Sequence, residues 1–328
     1  MTAQSGIRKA LLSAGSSLVV VLVTLVFLEI VLRVADFREL RGSPNGQALN
    51  YAFDAELGWL PEPNSASTIT TFRTTHAKHN SLGLRDDEFT ANSKPTIVFL
   101  GDSFVWGLDS EASERFSELL RPRLPNYNIV PAAVAGYGTD QEYLLLQRLW
   151  PKLKPAVVVL IFCSDNDRLD NSANFRYDNY KPYFATQPDG SLTLMGEPVP
   201  KSHLLRIRDD WLVRNLYLAR LAADAYVRIR YQQVSVPDPS EKVVGKIREF
   251  VEGNGGKFLV GIQHHDEALV AYLQANNIPF VKLEGAPFYT QGGFGPHWTP
   301  EGQRFVADRI VGLLSANHVI GPAAQTKE

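Results

Sequence analysis

Two stretches of this sequence are apolar on both of their faces: Thr96-Ile97-Val98-Phe99-Leu100 and Ala156-Val157-Val158-Val159-Leu160-Ile161-Phe162. A strand sends successive side chains to opposite faces, so a β-branched run without polar alternation has to be covered on both. That requirement selects a parallel sheet between two layers of helices over a sheet with one wet face. The rest of the pattern alternates accordingly. Asn128 to Val134 reads as a second strand, Gln141 to Trp150 as a helix ended by Pro151, and Ala156 to Phe162 as the central strand. Glu241 to Val251 is a helix stopped at Gly253-Asn254-Gly255-Gly256, with a strand at Lys257 to Ile262, a helix at Glu267 to Ala275 and a last strand at Ile278 to Leu283 after it. Glu111 to Arg121 is the helix expected after the first strand, with Phe116, Leu119 and Leu120 as its buried stripe. Thr299-Pro300-Glu301 opens a final helix with a cap and a proline at its first position.

The 328 residues carry a net charge of -2 and are 45% hydrophobic, which suits one large α/β domain with appendages and leaves no basic footprint for nucleic acid. The single cysteine, Cys163, excludes an intramolecular disulfide and argues against a cysteine-based metal cluster; at a strand end it reads as a small buried hydrophobe. After a tail of residues 1–9, Ala10 to Leu28 is uncharged and rich in Leu, Val and Ala, and Ile30, Val31 and Leu32 continue the run past Glu29. The run is long enough to cross a hydrocarbon core and long for a signal-peptide core, and it lacks a small-x-small cleavage site after it. Residues 10–32 therefore read as an uncleaved transmembrane anchor. Arg8 and Lys9 on one side and Arg33, Arg38 and Arg41 on the other leave its orientation unset by charge.

Residues 33–94, broken by Pro44, Pro61 and Pro63, read as a tether lying over the domain surface, with Tyr51, Phe53, Leu57 and Trp59 as docking residues. Within it His76 and His79 are expected in solvent, Asn80 to Arg85 forms a turn, and Arg85-Asp86-Asp87-Glu88 is a solvated face. The domain proper is expected at 95–318, with an irregular insertion at about 171–235 over the crevice and a tail at 319–328. Trp211 to Tyr231 has near-helical apolar spacing with arginines between. It reads as a helix packed on the sheet or lid with a basic face outward, ahead of a second membrane-surface contact.

Gly101-Asp102-Ser103 comes directly after the first strand, at the edge where open α/β sheets bind ligands, but Gly, Asp and Ser are ordinary turn residues and prove little alone. Acyl transfer to a serine needs a base for the hydroxyl proton and preorganised donors for the oxyanion. Three other segments reach the same edge: Ala135-Gly136-Tyr137-Gly138, Asp165-Asn166-Asp167, and His297 just before the last helix. Asp102 is expected to bond backbone N–H groups in its turn, and Asp167, Asp170 and Asn171 either to bind substrate or to fix their loop. His264-His265-Asp266 lies just past a strand, but adjacent side chains diverge and no third ligand stands at suitable spacing, so a structural or crevice-lining role is favoured over a metal. No motif for a cofactor is found.

Gly101-Asp102-Ser103, Gly136, Asn166 and His297 stand in the order of the four blocks of the SGNH (GDSL) hydrolases, which the chain resembles over roughly Thr96 to Leu314. Ala135 to Gln141, Asn166-Asp167-x-x-Asp170-Asn171 and the turn Asn80 to Arg85 look like a bacterial, membrane-anchored subgroup. The resemblance implies a flavodoxin-like three-layer α/β/α sandwich and a serine acyl-enzyme. Ser103 would be the nucleophile and His297 the base. The Ser103 and Gly136 N–H groups and the Asn166 amide would form the oxyanion hole, with Asp102, Asp167 and Tyr137 as supporting or substrate-binding residues. One departure stands out: the aspartate that the family places two or three residues before its histidine is replaced by Gly295 and Phe294. Three readings are open: a Ser-His dyad oriented by a backbone carbonyl, a carboxylate recruited from another loop, for which Asp266 is a candidate, or a domain without activity.

The function expected on this basis is a membrane-anchored serine esterase that removes an acyl group, acetyl first, from an envelope glycan or related ester. The setting implied is the bacterial inner membrane, with a periplasmic catalytic domain and envelope polysaccharide machinery as partner. The rivals are an O-acyltransferase to a polysaccharide hydroxyl using the same residues, and a non-catalytic glycan-binding or scaffold subunit.

Overall fold

The computed structural model describes residues 2–37, 40–41, 51–290 and 295–320. It divides into two compact units, residues 1–46 with 201–232, and residues 47–200 with 233–328. In chain order, α1 (Thr2–Ala35) opens the first unit. The second begins with two antiparallel hairpins, β1 (Tyr51–Asp54) with β2 (Gly58–Pro61) and β3 (Ala66–Thr70) with β4 (Thr74–Lys78). It continues through β5 (Thr96–Gly101), α2 (Ser103–Trp106), α3 (Phe116–Leu120), β6 (Asn128–Ala133), α4 (Thr139–Leu153), β7 (Val157–Phe162) and α5 (Asp167–Asn171). Two more hairpins come next, β8 (Phe175–Arg176) with β9 (Asn179–Tyr180) and β10 (Tyr183–Thr186) with β11 (Leu192–Met195). The chain returns to the first unit for α6 (His203–Asp209), α7 (Trp211–Asn215) and α8 (Tyr217–Arg230). It then completes the second with α9 (Ser240–Gly253), β12 (Lys257–Ile262), α10 (Glu267–Ala275), β13 (Phe280–Lys282) and α11 (Pro300–Ala316).

Among the described residues the second unit holds one five-stranded sheet, in the order β13-β12-β7-β5-β6, with all neighbours parallel. Every residue of β5 and β7 is buried, as their two-faced apolar sequence demands. Ile97, Phe99, Val157, Val159 and Ile161 face one layer, which α3 and α11 complete with Phe116, Leu120, Val306 and Ile310. Val98, Leu100, Val158, Leu160 and Phe162 face the other, closed by Leu145 and Leu149 of α4, Val243 and Ile247 of α9, and Leu269 of α10. This is the flavodoxin-like three-layer sandwich: numbered along the chain, the strands lie 2-1-3-4-5, and the order reverses between β5 and β7. A crevice opens outside the carboxyl ends of the strands at that point.

Several expectations are corrected. The expected tail at residues 1–9 is helical from Thr2. From Tyr51 onward the stretch read as a tether forms two hairpins built into the domain. Leu57 and Trp59, expected to dock, are 1% exposed and Leu84 is fully buried, while His79, expected in solvent, is buried against the Trp106 ring. Short alternating strands in this stretch carry too little apolar periodicity to be told from a loop. Arg85, expected in solvent, is buried at 2% exposure. The helix expected at Glu111 to Arg121 is a turn of 3₁₀ helix at Ala112–Glu114 and then α3, split at Arg115. Pro151 lies inside the last turn of α4 without ending it; the helix stops at Lys154, in a left-handed conformation. The insertion at 171–200 carries the two hairpins β8–β9 and β10–β11. Trp211 to Tyr231 forms α7 and α8 in the unit that contains α1. Most of the 319–328 tail, residues 321–328, lies outside the described residues.

Trp59 stands edge-on to Tyr137 at 5.5 Å and donates its indole N–H to the Ala135 carbonyl at 3.4 Å. Trp59→Ala is therefore expected to destabilise the protein by about 3–5 kcal/mol, as for a large aromatic removed from a core, where a surface tether would give a change within about 0.5 kcal/mol. Urea unfolding of the two proteins measures the difference.

Candidate active site

The crossover after β5 is made by Asp102. It is fully buried, caps α2, and accepts the Phe104 N–H at 2.9 Å on one carboxylate oxygen, as a turn aspartate should. Ser103 is thereby the first residue of α2, with its hydroxyl at the carboxyl edge of the sheet. His297 arrives from the other end of the chain, 194 residues away in sequence, and its Nε2 lies 2.8 Å from Ser103 Oγ. The imidazole is held by its neighbours both along the chain and across the fold. Thr299 caps α11 with Pro300 in its first turn, the His297 carbonyl accepts the Tyr289 N–H at 2.9 Å, and Phe104 packs on the ring at 5.0 Å. Only 3% of His297 is exposed.

The residue beside the other ring nitrogen was not anticipated. Asp109 Oδ2 lies 3.3 Å from His297 Nδ1, a close contact short of hydrogen-bond alignment. Asp109 sits six positions after the serine, on the loop that leaves α2, in a left-handed conformation (φ 63°) that Asp tolerates better than most residues. Its other oxygen accepts from the Thr71 hydroxyl and from the Phe72 N–H, both at the tip of the β3–β4 hairpin, so Oδ2 is left for the histidine. Burial pushes the Asp109 pKa up, but the contacts with His297, Thr71 and the Phe72 N–H outweigh it and hold the carboxyl below its usual range. An ionised carboxylate at Nδ1 keeps the proton there and leaves Nε2 as the acceptor for Ser103. Asp266 does not serve this role. It caps α10 through the Leu269 N–H at 2.9 Å and holds Arg168 through both oxygens at 2.7 Å. Of the two positions before His297, Gly295 has no side chain to offer and Phe294 lies outside the described residues.

The Asp109 loop is itself clamped. Arg85 donates to four carbonyls: from Nη1 to Trp106 (3.2 Å) and Gly107 (2.6 Å), and from Nη2 to Ser110 (2.8 Å) and His76 (2.6 Å). Gly107 makes the loop passable. Its φ is +83°, and a Cβ there would stand 2.4 Å from the Arg115 side chain.

For an oxyanion, the Ser103 and Gly136 N–H groups donate to no protein acceptor among the described residues. Gly136 lies beyond the end of β6 with φ +82°, a turn conformation that favours glycine, and a Cβ on it would come within 3.1 Å of the Tyr177 ring. Asn166 lies beyond the end of β7, but its amide is engaged. Nδ2 lies 3.2 Å from Asp102 and 2.9 Å from Asp170, with the Tyr177 hydroxyl at 3.5 Å. An oxyanion would have to take one of these N–H groups from a carboxylate. Tyr177, at the tip of the β8–β9 hairpin and 48% exposed, thus lies against two of the three expected donor residues, Gly136 and Asn166, a position nothing in its local sequence signals.

Tyr137 and Asp167 are supports and do not face substrate. The Tyr137 hydroxyl donates to the Trp59 carbonyl, and Asp167 accepts from the Cys163 N–H at 2.9 Å and from the Thr139 hydroxyl at 3.2 Å, both residues being fully buried. Cys163 is buried, and burial raises its thiol pKa well above the usual value. His264 pairs with Asp165 at 2.9 Å and His265 with Glu284 at 3.3 Å. Beneath the site lie five fully buried acids, Asp102, Asp140, Glu142, Asp167 and Asp170. Lys181 answers Asp140 and Arg176 answers Asp170, whereas both Glu142 oxygens lack a hydrogen-bond partner among the described residues. Burial, then the neighbouring Asp167, pushes the Glu142 pKa well up.

Solved structures similar to this chain include a GDSL-family lipolytic protein from Veillonella parvula, 14% identical, covering 67% of this chain and 98% of its own at a TM-score of 0.40. TesA is 18% identical, covering 67% of this chain and 98% of its own at a TM-score of 0.39. An acetyl xylan esterase, AlAXEase, is 14% identical, covering 66% and 98% at a TM-score of 0.37. No family model and no curated protein matches the chain. The chemistry assigned to the site rests on the contacts around Ser103 and His297.

Two outcomes are expected. Asp109→Asn should slow phosphonylation of Ser103 by a fluorophosphonate by on the order of ten-thousand-fold, because the amide no longer fixes the imidazole tautomer, while Asp266→Asn leaves the labelling rate near that of the parent. Equal rates for the two variants would exclude Asp109 as the orienting group. Glu142 has a folded-state pKa raised above its unfolded value, so its contribution to stability is present in acid and is lost as pH rises toward that raised pKa. Glu142→Gln should therefore flatten the fall of Tm between about pH 5 and about pH 9, read by thermal melts across that range.

Proposed function

We propose that this chain is a membrane-anchored serine esterase that works through an acyl-enzyme and removes an acyl group, acetyl first, from a glycan or related ester outside the cytoplasm. The observation that carries the reading is the run of contacts from Ser103 Oγ through His297 to Asp109. In it, His297 Nε2 takes the hydroxyl proton as Ser103 Oγ bonds to the ester carbonyl carbon, and Asp109 steadies the imidazolium. The carbonyl oxygen, now an anion, receives the Ser103 and Gly136 N–H groups. Collapse breaks the bond to the alcohol, which leaves with the proton from His297. Water then gives its proton to His297 as its oxygen bonds to the acyl carbon, and collapse breaks the bond to Ser103 Oγ, which takes that proton back as the acid leaves.

The glycan reading is supported by aromatic rings around the site. Phe72 is 45% exposed and stacks on Tyr289 at 4.3 Å; the backbone N–H groups of these two residues bind Asp109 and the His297 carbonyl, and Tyr177 stands on the other side over Gly136. Flat apolar rings with a polar edge suit the faces of sugar rings. The anchor reading is supported by Leu11–Ala35, long and apolar enough to cross a membrane and unburied by the protein. A non-catalytic scaffold was motivated by the missing carboxylate, and Asp109 removes that motive.

The test uses acetylated oligosaccharide and p-nitrophenyl acetate. Acetate release by the parent protein and none by Ser103→Ala is the expected outcome. Acetyl appearing on an added sugar acceptor in place of free acetate would assign a transferase, and failure of the parent protein to react with any ester or fluorophosphonate would sink the reading.

A further inference from the structure

The acid that interrupts the apolar run, Glu29, has a specific task. Its carboxylate accepts the Tyr217 N–H at 3.0 Å and the Leu218 N–H at 2.9 Å, which caps the first turn of α8, and it pairs with Arg33 at 2.7 Å. Arg33 also donates to the Asn215 carbonyl at the end of α7 and lies over the Tyr217 ring at 5.2 Å. Further along, Arg220 donates to the Leu40 carbonyl at 2.7 Å. The junction of α7 and α8 is thus fastened to α1 where its apolar run ends.

These helices present an unusual surface. On α8, Leu221, Tyr226 and Ile229 are 44%, 59% and 83% exposed; with Ala222 and Ala225 they fall on one face at helical spacing. At 100° per residue Arg228 and Arg230 lie on either side of that face. On α7, Trp211 and Leu212 are 66% and 57% exposed. Residues 201–232 hold seven Lys and Arg against three Asp, in a chain whose net charge is -2, so positive charge is concentrated here. Arg214 and Arg230 have no carboxylate partner among the described residues. Exposed Trp, Tyr and Ile bordered by arginine is the composition of a helix that lies in a membrane interface, with the apolar side chains at the acyl boundary and the guanidinium groups among the headgroups.

We propose that α7 and α8 lie on the bilayer that α1 spans, held there by anionic lipid headgroups. This rests on the membrane-spanning reading of α1 and adds a second, lateral contact. Two features favour a lipid surface over a protein partner: the patch is continuous with the apolar helix to which Glu29 and Arg33 fasten it, and its charge is opposite to that of an anionic leaflet.

The test places an environment-sensitive fluorophore on the full-length protein, reconstituted in vesicles of phosphatidylcholine with or without phosphatidylglycerol and carrying acyl-chain-brominated lipid. Ile229→Cys should be quenched by the brominated lipid, more strongly with phosphatidylglycerol, and Val23→Cys in α1 should be quenched in both. Gln274→Cys, exposed on α10, should not be quenched. Adding Arg228→Glu and Arg230→Glu should abolish quenching at 229 and spare it at 23. Quenching at 23 but not at 229 overturns the lateral contact and leaves the anchor standing; quenching at neither overturns both. An Ile229→Cys protein shielded from lipid that forms disulfide-linked dimers assigns the face to a second copy and overturns the proposal.

Discussion

Arg85 is a guanidinium buried at 2% exposure with no carboxylate in contact among the described residues, its four terminal N–H groups all spent on backbone carbonyls and its face stacked on Trp106 at 4.5 Å. Burial, then the charge of Arg115, draws its pKa down to about 9, which leaves it protonated at neutral pH. Burying a cation this way is costly unless its donors are satisfied, and here four of its five are, the buried Nε having no partner among the described residues. Three of the carbonyls belong to the loop from Trp106 to Ser110, where Gly107 also accepts the Ser110 N–H at 3.1 Å, and the fourth belongs to His76. Removing the cation would take a charged donor from all four carbonyls. Around that clamp the loop takes the one course that brings Asp109 beside the histidine.

The same clamp explains why the domain needs the segment ahead of its first sheet strand. β4 supplies the His76 carbonyl to Arg85, and the tip of the β3–β4 hairpin supplies the Thr71 hydroxyl and the Phe72 N–H to Asp109. A triad acid placed just before the histidine would be oriented by its own short loop. An acid placed six residues after Ser103 must be fixed from outside, and the hairpin does so. On the far side of the serine, the β8–β9 hairpin brings Tyr177 onto Gly136 and Asn166. Both walls of the crevice are therefore insertions to a plain α/β core, and they set what the serine can meet.

The two units also differ in charge. The helices of the first unit gather arginine around exposed apolar side chains, and the second unit carries a net excess of acid, part of it in the buried cluster under the site. Glu29 joins the two demands within the first unit. It is an anion tolerated at the end of an apolar helix because a helix N-terminus and an arginine neutralise it.

Sequence alone determined the layered core, since Ile97 to Leu100 and Val157 to Phe162 leave no face that water could wet, and hydrophobic periodicity is a local property. It also determined which residues could meet at the sheet edge, because a strand that ends in a turn sends its next residues there whatever the rest of the chain does; Ser103, Gly136, Asn166 and His297 were legible in that way. It did not determine that Asn166 is engaged by two carboxylates, that Tyr137 and Asp167 are inward supports, or that Tyr177 stands over Gly136. Each of these depends on contacts between residues far apart along the chain or in separate elements. Asp109 is the clearest case. In sequence it is an aspartate in a turn, like several others, and only the fold, by laying a distant hairpin and a buried arginine against that turn, points its free oxygen at an imidazole 3.3 Å away.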